Sequence, residues 1–308
     1  MNAPIRLGIV GLGHMGRLHL QKAQASPLVT LTALFDTDSQ QLADLSAAGL
    51  PVVESFPALL SRVDALIIAS PTATHAYYAE AALRAQKHVF IEKPAVTSPY
   101  ELERLLRLEE ESGVVTMVGH SERFNPVFSA LYPLREKLWQ YTFERIAPWT
   151  PRGSDASVLL DLLIHDLDLF WAFTEGRIAD MRVIAYRTRT EKPDTVQLWV
   201  DLVDGRGASF LVSRDAPHKR RRLSAHGPNL WIEADLLSRS VHAWEAGMAK
   251  EVSLSTAGDA LAAELEHFLS CIARGDTSFL SLAHVQSVMA WAWQAEALAE
   301  HRLVFAGQ

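Results

Sequence analysis

Only one cysteine, Cys271, stands among the 308 residues. No internal disulfide can form, and a reducing compartment, the cytoplasm, is expected. Long apolar runs are missing as well. Even the run Ala65–Ala69 falls far short of the roughly 20 residues that span a bilayer, so no membrane partner is expected. A strand-like run begins at Ile5, which leaves no room for a secretory leader. Positive charge is scarce, with 29 Lys and Arg against 36 Asp and Glu, a net charge of −7. That balance speaks against nucleic acid as a partner. Repeats and low-complexity tracts are also absent. What remains, 49% hydrophobic and 21% charged residues, is the makeup of a globular chain long enough for about two domains.

The first 120 residues alternate short apolar runs with amphipathic stretches. Strands are expected at 5–10, 28–35, 52–53, 65–69, 88–91 and 114–118, with helices at 15–25, 39–48, 74–85 and 99–112. Parallel neighbours need a crossover, so this rhythm predicts a doubly wound parallel α/β sheet over residues 1–120. Beyond it the pattern changes. A helix at 125–137, a strand at 141–146 and a very apolar helix at 156–173 precede six strands between 182 and 244. Helices return at 259–274 and 281–301. Asp204-Gly205 makes a hairpin turn within the strand series. Residues 121–308 thus read as an α+β domain, with a large open, mostly antiparallel sheet carrying helices on one face.

Gly11-Leu12-Gly13-His14-Met15-Gly16 lies directly after a strand and before a helix, the setting of a dinucleotide site. Gly11 permits the tight turn, Gly13 removes a side chain where a pyrophosphate approaches, and Gly16 lets helix and strand close up. At His14 and Met15 the backbone matters more than the side chain. Asp36, at the end of the second strand, is placed to accept from a ribose 2′-hydroxyl and to repel a 2′-phosphate. Residues 36–41 contain no arginine, so NAD is expected over NADP.

Glu92-Lys93-Pro94 follows a strand at the sheet edge where ligands bind. A lysine held there can donate to a substrate oxygen or pass a proton, although a solvated surface charge is the plainer reading. Asp161 and His165, four residues apart, share one helical face, and Asp168 continues it. Imidazole is the usual base for an alcohol proton. A satisfied core histidine is the alternative. A metal pair would need a third ligand, and none is evident, so no metal is expected.

Together GLGHMGRLH (11–19), ASPTATH (69–75), EKP (92–94) and DLLIHDLDL (161–169) resemble the Gfo/Idh/MocA family over nearly the whole chain. The resemblance implies an N-terminal Rossmann domain, and a C-terminal domain whose open sheet joins subunits into a homodimer or homotetramer. It implies that Lys93 and His165 form the catalytic pair with Asp161 alongside, and leaves open which is the principal base. Ser70, Pro71, Thr72 and His75 would lie along the cofactor, with Glu92, Lys93 and Pro94. VGHSERFNP (118–126) and the stretch from Pro148 through Arg152 to DLLIHDLDL look like the UDP-N-acetylglucosamine 3-dehydrogenase subgroup. That likeness implies a sugar nucleotide oxidised at its 3-hydroxyl in making lipid A or another surface glycan. Glu122, Arg123, Asn125 and Arg152 would line the substrate with Asp161 and His165. A dehydrogenase of free sugars or inositol, or a non-catalytic ligand sensor, are the other readings. The one basic run, 218–222, reads as a solvated sheet edge, or with one arginine on a diphosphate. Trp149 and Asp155 have no assignable role.

Overall fold

The computed structural model describes residues 3–150, 156–255, 258–301 and, for the backbone, 303–305. The chain forms two compact units, Met1–Ser121 with Gly258–Gln286, and Glu122–Ala257 with Ser287–Gln308.

The first unit is built on five parallel strands, β1 (Ile5–Val10), β2 (Val29–Phe35), β3 (Ala65–Ile68), β4 (His88–Glu92) and β5 (Thr116–Gly119), in the order β2-β1-β3-β4-β5. Every residue of β3 is buried, as are four of the six in β1, the near-continuous apolar reading of strands covered on both faces. The run expected as a strand at 52–53 makes only an isolated bridge from Val52 to Leu34. Helices start where the sequence signals them. Ser98 caps Pro99–Ser112 through the Glu101 N–H, with proline at the first position, and Gly113 ends it with φ 63°.

The helix Ala260–Arg274 belongs to this first unit, whereas a single break after residue 120 would assign it to the second. Its apolar face explains the assignment. Phe268 meets Phe90 of β4 edge to face at 5.8 Å, and Asp259 pairs with Lys22 at 2.7 Å. Further along, the Glu109 carboxylate accepts from the N–H groups of Leu282 and Ala283, satisfying two open donors of a helix start.

The second unit carries a sheet of nine strands among the described residues. They are β6 (Gln140–Ile146), β7 (Ile178–Arg187), β8 (Thr195–Leu202), β9 (Gly207–Ser213), β10 (Arg220–His226), β11 (Leu230–Asp235), β12 (Ser240–Glu245), β13 (Met248–Lys250) and β14 (Leu303–Phe305). Their order is β13-β12-β11-β10-β6-β9-β8-β7-β14, with β6–β9 and β14–β7 parallel and the rest antiparallel. Side chains alternate as a one-sided sheet requires. Tyr141, Phe143 and Phe210 are buried beneath Phe170 of the helix Ile164–Thr174, while Ile184, Tyr186 and Trp231 are exposed. The arginines of the basic run, 220–222, lie on β10, between β11 and β6. It is therefore an interior strand, not the sheet edge its charge suggested, because cross-strand carboxylates accommodate its arginines.

Candidate functional site

In the first unit the glycine loop closes onto Asp36. The Leu12 N–H donates to Asp36 Oδ2 at 2.5 Å, Gln41 Nε2 donates to the same oxygen, and the Asp38 N–H donates to Oδ1. Gly11 has φ 85°, and a Cβ there would stand 2.4 Å from the Ser70 nitrogen. At Gly16 a Cβ would collide with the Gly11 carbonyl oxygen, whereas at Gly13 it would enter open space. Gly13 also starts the helix His14–Ala25 without a side-chain cap. Open N–H donors, an uncrowded glycine and a carboxylate beyond them are what a dinucleotide's pyrophosphate and ribose need. A cleft of about 510 Å³ runs past Gly11, Gly13, Asp36, Gln41, Ser70, Pro71 and Tyr78. NAD fits these residues.

Arg17 is a member of this site that sequence reading missed. Its guanidinium reaches Gln41 Oε1 at 2.7 Å and the Leu12 carbonyl, so a cation stands beside the Asp36 corner although none lies in 36–41. Asp36→Ala is therefore expected to weaken NAD binding and to improve NADP relative to NAD. Dissociation constants for both cofactors check this, and an unchanged ratio would overturn the assignment of Asp36.

Around the Glu-Lys-Pro step, two of the residues expected along the cofactor are buried. Glu92 is buried and faces inward, with its Oε1 accepting from His19 Nε2 at 2.6 Å and its Oε2 from the Lys93 N–H. Burial pushes this carboxyl up, but His19 and Lys93 more than offset it and hold it below the usual carboxylate range. His75 is also buried, one ring nitrogen 2.8 Å from the Ser70 carbonyl and the other 3.0 Å from that of Pro94. Burial lowers its pKa. Neither is among the residues that line the cleft. Both hold the loops after β3 and β4, because short loops on a buried sheet need internal partners for their polar groups. Ser70 is braced by Thr74 at 2.8 Å, and Thr72 and Lys93 are half-buried. The Lys93–Pro94 peptide is cis.

In the second unit Asp161 lies in a π-helical turn, Leu159–Leu163, that runs directly into the helix Ile164–Thr174 bearing His165. Both side chains are half-buried, while Asp166 and Asp168 are buried. Asp168, three residues beyond His165 on the same helix, pairs with Arg123 at 3.2 Å. π turns are rare and recur at functional sites. This one is anchored by Ser157, whose hydroxyl meets Glu296 Oε1 at 2.5 Å, and by Arg214, which donates to the Ala156 carbonyl.

Glu122, Arg123 and Asn125, expected to line substrate, are buried and already engaged. Glu122 Oε1 accepts from Arg145 at 3.0 Å and from Arg221 at 2.7 Å, while Oε2 accepts from Asn125. Asn125 also donates to the Leu236 carbonyl and caps the helix Pro126–Leu131 through the Val127 N–H. Arg145 in turn grips Asp166 with Nε and Nη2 at 2.7 to 3.1 Å. The motif is thus a buried ion network behind the His165 helix, since charges this deep demand partners. Arg152 and Asp155 lie outside the described residues. Trp149 receives the Arg189 guanidinium over its ring at 5.8 Å.

A family model described as "Oxidoreductase family, NAD-binding Rossmann fold" matches residues 5–120, and one described as "GFO/IDH/MocA C-terminal domain" matches 137–233. UDP-N-acetylglucosamine 3-dehydrogenase of Acidithiobacillus ferrooxidans is 32% identical, over 96% of this chain and 97% of its own. Its solved structure superposes with a TM-score of 0.91 at 33% identity, covering 98% of this chain and 99% of that one. Levoglucosan dehydrogenase in complex with NADH shares the fold, with a TM-score of 0.88 at 17% identity over 97% and 98% of the two chains. Both halves of the chain are matched in order, and the glycine loop lies within the NAD-binding match. The chain belongs to the Gfo/Idh/MocA family of NAD-binding oxidoreductases.

Proposed function

We propose that the protein oxidises the 3-hydroxyl of UDP-N-acetylglucosamine to the 3-keto sugar, with NAD as hydride acceptor. The observation that carries this reading is the extent of the likeness. The Acidithiobacillus ferrooxidans 3-dehydrogenase matches through both units, whereas the myo-inositol 2-dehydrogenase of Thermotoga maritima is 26% identical over only 54% of the chain. Lys93 and His165 are the catalytic groups in this proposal. His165 removes the hydroxyl proton as hydride leaves the same carbon, and Asp161 orients the imidazole and favours its charged form. Lys93 stabilises negative charge developing on that oxygen. Such a keto sugar prepares a 3-amino sugar for lipid A or another surface glycan, made in the cytoplasm. NADH formation across sugar nucleotides, free sugars and inositols tests the proposal. Turnover of inositol or a free sugar without UDP-N-acetylglucosamine would overturn the substrate. Tight NAD binding with no turnover would favour a sensor.

The outer face of the nine-stranded sheet exposes Ile184, Tyr186 and Trp231. We assign it to a homodimer or homotetramer, so light scattering should give two or four times the chain mass of 34.1 kDa. A single chain mass would refute it.

A further inference from the structure

The charge cluster of the second unit does not balance. Arg145 and Arg221 stand opposite each other in register on β6 and β10. Their two carboxylate partners are Glu122 and Asp166. Lys219 adds a third cation. It lies two residues before Arg221, directly ahead of the first residue of β10, and is exposed. No carboxylate among the described residues is within ion-pair distance of its ammonium. The neighbouring Arg221 guanidinium, then burial and Arg145, hold the Lys219 ammonium below lysine's ordinary range.

The remainder of the basic run is neutralised. Arg220 pairs with Glu144 at 2.8 Å and Arg222 faces Asp235 at 3.9 Å. Within the run, Lys219 and Arg221 are thus the cations that Glu144 and Asp235 do not offset, in a protein whose net charge is −7. Arg221 is also the outward end of the network, its side chain 32% exposed where that of Arg145 is 3%. Crowding like charges costs stability unless an anion joins them. A guanidinium and an ammonium side by side match phosphate oxygens.

We propose that Lys219 and Arg221 form the subsite for the diphosphate of a sugar nucleotide, an assignment that rests on the substrate reading above. The network ties this subsite to the catalytic helix. Arg145, opposite Arg221, holds Asp166, and Asp166 is the residue after His165. A sugar nucleotide carries its phosphates one glycosidic bond from the reacting ring, so it needs a cationic pair near its base. Inositol and free sugars do not.

Steady-state kinetics with UDP-N-acetylglucosamine at saturating NAD, and inhibition by UDP, test the assignment. Lys219→Met should raise both KM and the UDP inhibition constant by about 10- to 100-fold, the scale of a hydrogen bond to a charged group, with kcat changed far less. Lys219→Arg should recover most of the loss, and the wild-type KM should rise with salt. If the wild type fails to oxidise UDP-N-acetylglucosamine, the substrate reading falls and takes this inference with it. If the wild type oxidises it while Lys219→Met keeps the wild-type KM and UDP inhibition, the inference alone falls.

Discussion

His165→Ala is expected to lower kcat on the true substrate by about 10²- to 10⁴-fold, the usual worth of a positioned general base, while KM changes much less. The reason lies in when the proton moves. An alcohol hydrogen is hardly acidic before hydride begins to leave, so an imidazole that accepts it acts on the transition state rather than on bound substrate. Lys93→Ala should fall in the same range if its ammonium meets the charge developing on the same oxygen. Asp161→Asn should cost less, since it removes an orienting charge and leaves the base. The ranking of the two alanine variants, with NAD affinity measured separately, decides which group is the principal base. Wild-type turnover in both would remove them from the site.

Arg145→Met should be the most destabilising single change in the second unit. Arg145 is 3% exposed and serves two buried carboxylates. Removing one partner from a buried ion group costs about 3–5 kcal/mol, which lowers Tm by roughly 6–20 °C in a unit of this size. The pH dependence carries a sign. Burial pushes Glu122 up, but Arg145 and Arg221 outweigh it and hold its carboxyl low. Its contribution is therefore present above the unfolded pKa and is lost as pH falls through the lower folded one. In the variant, Asp166 keeps its burial and loses its partner, so its folded pKa rises and its penalty is relieved by protonation. The gap in Tm between variant and wild type should thus narrow as pH is lowered into the carboxylate range. A gap that widens would place the network's strength elsewhere.

These two sites differ in how openly the sequence announces them. The glycine loop, Asp36 and Lys93 stand out in the sequence because each falls in a local pattern, at or just beyond a strand end. Asp161 and His165 were readable as neighbours on one helix, although the π turn beneath Asp161 was not. The ion network was invisible for a geometric reason. Arg145 and Arg221 are 76 residues apart and meet only because β6 and β10 pair antiparallel in one register. Glu122, Arg123 and Asn125 were assigned to the substrate by resemblance alone, and no local pattern in the sequence shows the partners they have in this network. Arg17 escaped notice similarly, since its contact with Gln41 crosses from the first helix to the second. The basic run 218–222 was read by charge alone, and only the strand order shows its arginines to be interior.

The return of residues 258–286 to the first unit bears on any attempt to move that unit between proteins. Cut at residue 120, the NAD-binding half would lose Phe268 from against Phe90 and the Leu280 carbonyl that receives the Val118 N–H of β5. The fragment would display an oily aromatic face and an unsheathed strand border, both invitations to aggregate. A portable version needs two pieces of gene, 1–121 and 258–286, spliced by a short bridge. Chimeras joined at the end of the glycine-loop half alone would inherit its motif without its floor.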